Sequence, residues 1–282
     1  MIPTASFITC SITLFVTLIL PVLVLMVIAA KNRKQGICSA WFLGAAGFFV
    51  TQILIRVPIL TYLQTQDWFL TFAQEHLFLY IFSLAFTAGL FELAGRFAAA
   101  KLMRKNLTYK RSLAAGLGHG GIEAMVIVGI TYINNLVYMV MIQSGTFEPI
   151  LAQAAATGVD VSQLYAIQDS LIHTSPVLFL MAGLERVLTI VAHTALSMLV
   201  CYGVHTGKTW KGLLVCLGIH TFIDTCSVIS LLPTESGGNV LSQTAAYLIV
   251  YTILIAVAAV SLLILKRIQG AWQDEPQKEA VL

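Results

Sequence analysis

Seven long apolar segments, at about 6–30, 39–62, 76–100, 112–143, 174–204, 211–232 and 240–265, leave this chain few folds to choose from. About 20 residues at ~1.5 Å rise cross a bilayer's hydrocarbon core, and each segment is long enough to do so. In lipid a segment must satisfy its own backbone N–H and C=O groups, so runs of this length are helices. Only 10% of the 282 residues are charged and 58% are hydrophobic, against roughly 25% charged in an ordinary soluble domain. A soluble fold would be left with a large exposed apolar surface. The expectation is an all-α, polytopic transmembrane helix bundle of about seven spans. It forms one domain over residues 1–268, followed by a polar tail over 269–282 that is expected to be disordered. The segment at 112–143 is long enough to tilt or to extend beyond the lipid.

Basic residues set the expected orientation, because cytoplasmic loops collect Lys and Arg. Lys31, Arg33 and Lys34 follow the first segment, and Lys101, Arg104, Lys105, Lys110 and Arg111 follow the third. Lys208 and Lys211 follow the fifth, and Lys266, Arg267 and Lys278 follow the seventh. All but three of the 16 Lys and Arg residues are thereby placed on alternate connections. The longest connection, about 144–173, carries Glu148, Asp160 and Asp169 but no Lys or Arg. The amino terminus is therefore expected outside and the carboxyl terminus in the cytoplasm, in a multi-pass protein of a bacterial-type plasma membrane. The first segment has no basic residues before it and reads as a retained span rather than a signal peptide. A formal charge of +3 argues against nucleic acid as a partner. Cys10, Cys38, Cys201, Cys216 and Cys226 form no CxxC pair and lie in or beside apolar runs, as buried apolar cysteines do.

The remaining charges lie where lipid should be. An Asp, Arg or Lys at a helix centre costs about 2.5–3.5 kcal/mol, yet the spans hold Glu92, Arg96, Glu123, Glu185, Arg186 and Asp224, with His119, His193 and His220. Glu92 and Arg96 are four residues apart, as are His119 and Glu123, and His220 and Asp224, so each pair shares one helical face. Arg186 and His193, seven apart, also lie one above the other. Glu92, His119 and His220 are eight or nine residues from their flanking basic residues, which places all three about 12–14 Å in at the helical rise. Four spans each present a polar stripe at a similar depth. Gly116, Gly118, Gly120 and Gly121 around His119 allow close approach of a neighbouring backbone. Arg56, isolated before Pro58, reads as structural. His76, His173, Trp41 and Trp68 read as interfacial, and His205 as solvated at the cytoplasmic end.

A carboxylate base, an orienting arginine and two or three imidazoles form a constellation able to activate water. There is no G-x-S-x-G elbow and no H-E-x-x-H pair, and Ser197 and Cys226 have no base at helical spacing, which ranks nucleophilic catalysis low. Two other uses of the same groups stay open. His119, His193 and His220 with a carboxylate suit zinc, and a proton-coupled transporter would use them as a relay, although no internal repeat is apparent.

The segments Phe91-Glu92-Leu93-Ala94-Gly95-Arg96, Gly116-Leu117-Gly118-His119-Gly120-Gly121-Ile122-Glu123-Ala124, Glu185-Arg186 with His193, and His220-Thr221-Phe222-Ile223-Asp224 resemble the YhfC family of intramembrane proteases. That family is grouped with the PrsW and CAAX-processing (CPBP) proteases. The resemblance implies a glutamate-type intramembrane endopeptidase that acts on membrane-associated peptides or proteins and needs no cofactor, with zinc as the alternative. It implies Glu92 as catalytic glutamate oriented by Arg96, His193 and His220 assisting water activation, and Asp224 orienting His220. His119, Glu123, Glu185 and Arg186 complete the polar site. Leu93 stands where the paired-glutamate motif has its second acid, so Glu92 and Glu123 both remain candidates for the base, with the arginine favouring Glu92.

Overall fold

A computed structural model describes residues 1–158, 160–229 and 243–273. Among these, seven helices are long and apolar enough to cross a membrane: α1 (Thr4–Lys31), α2 (Ile37–Leu63), α3 (Leu77–Leu102), α4 (Tyr109–Ser144), α5 (Pro176–His205), α6 (Thr209–Val228) and α7 (Ala245–Gln273). No strand occurs among the described residues. Each helix coincides with one apolar segment of the sequence, to within a few residues except at the end of α7, which runs eight residues past the segment ending at 265. Residues 269–273, expected in the disordered polar tail, instead form the last turns of α7; residues 274–282 of that tail lie outside the described residues. Trp272 accounts for the extension, because its ring packs on His205, Tyr202 and Tyr109.

The chain divides into two compact units, Met1–Val24 with Glu123–Val187, and Leu25–Ile122 with Leu188–Leu282. The first is built around Ile2, Cys10, Tyr132, Met139, Leu171 and Phe179. Two side chains pin one carbonyl there: Thr13 Oγ1 donates to Phe179 O at 2.6 Å, and the Tyr132 hydroxyl donates to the same oxygen at 3.1 Å. In a medium without water, such bonds satisfy polar groups that have no other partner. The connection between α4 and α5 contains two short helices, Phe147–Ala156 and Ser162–His173. Gln168 Nε2 donates to Glu148 Oε1 at 2.7 Å and ties them together.

In the second unit α3 is central, packing against α2 on one side and α6 on the other, while α7 lies along α6. The opening turns of α4 pack between the backbones of α2 and α5. A Cβ at Gly118 would overlap the carbonyl oxygen of Trp41, and one at Gly120 would come within 3.2 Å of His193 Cβ. Small residues are what permit this approach in a membrane bundle, where packing rather than hydrophobicity holds helices together. Trp41 is consequently buried, not interfacial as the sequence suggested, because its own carbonyl faces that glycine. Trp68 is exposed. The middle of α2, Phe49–Arg56, winds as π-helix, a form concentrated at functional sites.

Gly118→Val is expected to lower stability by about 1–3 kcal/mol through overpacking, read as reduced thermal stability in detergent. Gly218→Ala, where a Cβ meets open space, is expected to leave it unchanged. Equal behaviour of the two variants would contradict this packing.

Candidate active site

The second unit gathers four side chains from four spans around one carboxylate. Glu92 and Arg96 come from successive turns of α3, His119 from α4, His193 from α5 and His220 from α6. Glu92 Oε2 lies 2.9 Å from Arg96 Nη2, 3.1 Å from His119 Nε2, 3.4 Å from His193 Nδ1 and 3.7 Å from His220 Nδ1. Relative exposure is 4% for Glu92, 3% for Arg96 and 1% for His119, so the ion pair is essentially dry. A pair this buried holds only if its remaining valences are filled. Gln52 does this for the other oxygen, donating from Nε2 to Glu92 Oε1 at 2.8 Å.

Arginine has donors and no acceptor, and this assigns the neutral imidazole tautomers. Arg96 Nη2 is 2.7 Å from His193 Nδ1 and Arg96 Nη1 is 3.4 Å from His220 Nδ1. Both Nδ1 atoms are therefore acceptors, and both rings carry their proton on Nε2. For His220 that proton points to Asp224 Oδ2 at 3.2 Å, one turn along α6. The ring of His119 stacks on His193 with centroids 5.8 Å apart and meets the edge of Phe48 at 5.3 Å. Arg96 Nε and His119 Nδ1 are buried with no hydrogen-bond partner among the described residues, so each keeps a donor or acceptor position that a water, an ion or a substrate group could fill.

Glu123, Glu185 and Arg186 are placed differently. They belong to the first unit, where Arg186 Nη1 lies 3.3 Å from Glu123 Oε1 and Arg186 Nη2 bonds Glu185 Oε1. Glu123, the other candidate base, thus has an arginine of its own. Of the groups that the sequence grouped together, the second unit brings together Glu92, Arg96, His119, His193, His220 and Asp224. Sequence reasoning missed Gln52. The available signal was a polar amide inside an apolar run one turn before Arg56, whose Nη1 lies 3.5 Å from Gln52 Oε1. Arg56 also donates from Nη2 to the Leu84 carbonyl at 2.7 Å, which suits the structural role expected for it.

A family model described as YhfC intramembrane metalloprotease matches residues 15–241. The chain belongs to this family. It is also 33% identical over 181 residues to a Bacillus subtilis (strain 168) protein called "Uncharacterized membrane protein YhfC", covering 64% of this chain and 68% of that one. No solved structure matches. Membership of the YhfC family, with seven membrane-length helices, makes this a multi-pass membrane protein of an intramembrane protease family.

A metalloprotease, as the YhfC family is described, needs side chains that can hold a metal. Glu92, His119 and His193 each offer a ligand atom, all within 4.8 Å of one another. The carboxylate-to-imidazole separations of 3.1 and 3.4 Å are close to the edge of about 3.3 Å in a tetrahedron with ~2.0–2.1 Å zinc bonds. Two imidazoles and one carboxylate are also a donor set of catalytic zinc sites. The donors fit. Of the three imidazoles and a carboxylate that the sequence suggested, Glu92 supplies the carboxylate and His119 and His193 the imidazoles, while His220 is turned to Asp224. Arg96 Nη2, in contact with both Glu92 and His193, is a rival cation for the same lone pairs.

Arg96→Leu is expected to strand a buried carboxylate and cost about 3–5 kcal/mol. The double change Glu92→Leu with Arg96→Leu removes both charges, so it should be less destabilised than the sum of the two single changes. Additive single effects in denaturation experiments would show that the pair is not coupled.

Proposed function

We propose that the chain is a metal-dependent intramembrane endopeptidase, with Glu92, His119 and His193 as the residues that hold zinc. The observation that carries this reading is the convergence of those three ligand atoms in a dry site of a protein whose family is described as metalloproteases. A bound zinc ion supplies Lewis acidity, polarising a carbonyl and acidifying water at neutral pH. In this reading His220 moves the proton. Its Nδ1 gives up the 3.4 Å contact with Arg96 Nη1 and accepts a proton from water as the water oxygen bonds to the scissile carbonyl carbon, and Asp224 at Nε2 stabilises the imidazolium. As the C–N bond breaks, Nδ1 returns the proton to the departing amine nitrogen. Arg96 contributes positive charge beside the carbonyl oxygen as that oxygen becomes negative. Gln52 holds Glu92 Oε1 and so presents Oε2 inward. Substrates are membrane-associated peptides or proteins, and the charge pattern supports an amino terminus outside and a carboxyl terminus in the cytoplasm.

One observation favours a second reading. The Arg96–His193 contact of 2.7 Å uses the lone pair that zinc would need, so a metal and this contact exclude each other. Without metal, Glu92 Oε2 is itself the base and Arg96 keeps it ionised. Metal analysis of purified protein, with cleavage of a membrane-anchored reporter peptide, separates the two. The metal-dependent reading expects about one zinc per chain and loss of cleavage with chelator. It also expects His220→Gln to retain zinc while cleavage falls by about 10²–10⁴-fold. Full activity in metal-free protein, abolished by Glu92→Gln, would replace it with the second reading.

A further inference from the structure

Arg56 is the only Asp, Glu, Lys or Arg in α2, and its contacts reach further than an anchor requires. Its guanidinium docks on α3, where Nη2 donates to the Leu84 carbonyl at 2.7 Å, and Nε and Nη2 each lie 3.4 Å from Thr87 Oγ1. Leu84 and Thr87 precede Glu92 on that helix. Docked there, the guanidinium turns its remaining amino group, Nη1, to Gln52 Oε1 at 3.5 Å. The other end of the same amide, Nε2, donates to Glu92 Oε1 at 2.8 Å. Arg56 and Glu92 are thereby joined through one buried amide, within a single unit.

The two neighbours give that amide a direction. A glutamine side chain keeps nearly the same shape when its oxygen and nitrogen are exchanged, so its partners decide which end faces which. A guanidinium has donors and no acceptor, and an ionised carboxylate has acceptors and no hydrogen to give. An amide between them satisfies both only with its oxygen toward Arg56 and its nitrogen toward Glu92, which is the orientation found. Turned round, it would set oxygen against oxygen and hydrogen against hydrogen in a dry interior, where unmatched polar groups are costly. A cation at the amide oxygen also strengthens the N–H at the other end as a donor, as in any chain of hydrogen bonds. With Oε1 held in this way, Glu92 keeps Oε2 at 3.1 Å from His119 Nε2 and 3.4 Å from His193 Nδ1.

We infer that Arg56 is a positioning residue for the site: anchored on α3, it fixes the Gln52 amide, and the amide fixes which oxygen of Glu92 is presented to His119 and His193. Its consequence for zinc rests on the metal-dependent reading above, whereas the Arg56–Gln52–Glu92 chain does not. Side chains that hold a metal depend on such outer partners, whose loss typically costs about 10–100-fold in affinity.

The test is a double-mutant cycle on full-length protein in detergent, with Arg56→Met, Gln52→Met and both together. Zinc affinity is measured by competition with a chromogenic chelator, and thermal stability is measured on zinc-free protein. Arg56→Met is expected to weaken zinc binding by about tenfold and to add nothing further once Gln52 is Met. In zinc-free protein the double variant should be destabilised by less than the sum of the two single changes. Thr87→Val is close in shape and removes only the hydroxyl that accepts from Arg56. It is expected to fold as the wild type does and to weaken zinc binding by a smaller factor, again only with Gln52 in place.

An equal loss of zinc affinity from Arg56→Met with and without Gln52 overturns the inference, because the charge would then act through space rather than through the amide. Additive stabilities overturn it too, as does unchanged zinc affinity in Arg56→Met or, where that variant does not fold, in Thr87→Val. Wild-type protein that binds no zinc yet cleaves a reporter peptide discards the metal reading alone. The cycle is then read on turnover: kcat falls in Arg56→Met at unchanged KM, and only with Gln52 present, or the inference fails. Wild-type protein with neither zinc nor cleavage removes both.

Discussion

The second unit is organised around a single carboxylate that has been removed from both water and lipid. Glu92 Oε2 has Arg96 and three imidazoles around it, and its Oε1 is taken by Gln52. Each of these partners comes from a different span or a different turn, so the ionised state of Glu92 and the packing of α2 to α6 depend on each other. A bare carboxylate in an apolar bundle would neutralise or expel itself. This one is retained because its partners converge from several helices.

That convergence has a price in backbone geometry. The imidazole of His193 reaches the site because Gly120 lets α5 lie close to α4, and α4 in turn presses on the backbone of α2 at Gly118. The π-helical stretch of α2 shifts the register of side chains beyond Phe48, and it is this stretch that carries Gln52 and Arg56. Packing and chemistry therefore share residues. Arg96 illustrates the same economy: it neutralises Glu92, assigns the tautomers of His193 and His220, and competes for the lone pairs a metal would use.

Much of this was legible in the residues. The spans could be read because lipid demands some 20 apolar residues per crossing, and all but the end of α7 were found within a few residues of their described ends. The pairs Glu92–Arg96 and His220–Asp224 could be read because helical spacing places i and i+4 on one face. Gln52 escaped because an uncharged amide costs little enough in a span to be unremarkable until its partner is known. Trp41 was misjudged because a tryptophan near a span end resembles an interfacial anchor, and only the glycine opposite shows that it is covered. The last turns of α7 were misjudged because their composition is polar, whereas the Trp272 ring has partners at Tyr109, Tyr202 and His205.

Local sequence determined that the chain is helical, how many long apolar helices it has and which face of each is polar, since these follow from hydropathy and a fixed 3.6-residue period. Tertiary structure decided which of the nine candidate polar groups meet. Glu123, Glu185 and Arg186 engage one another in one unit, while Glu92, Arg96, His119, His193 and His220 close on one another in the other. Helical period gives the direction a side chain takes from its own axis but says nothing of how neighbouring axes are rotated and spaced. Those are set by contacts between distant residues, such as Gly118 with Trp41 and Gly120 with His193.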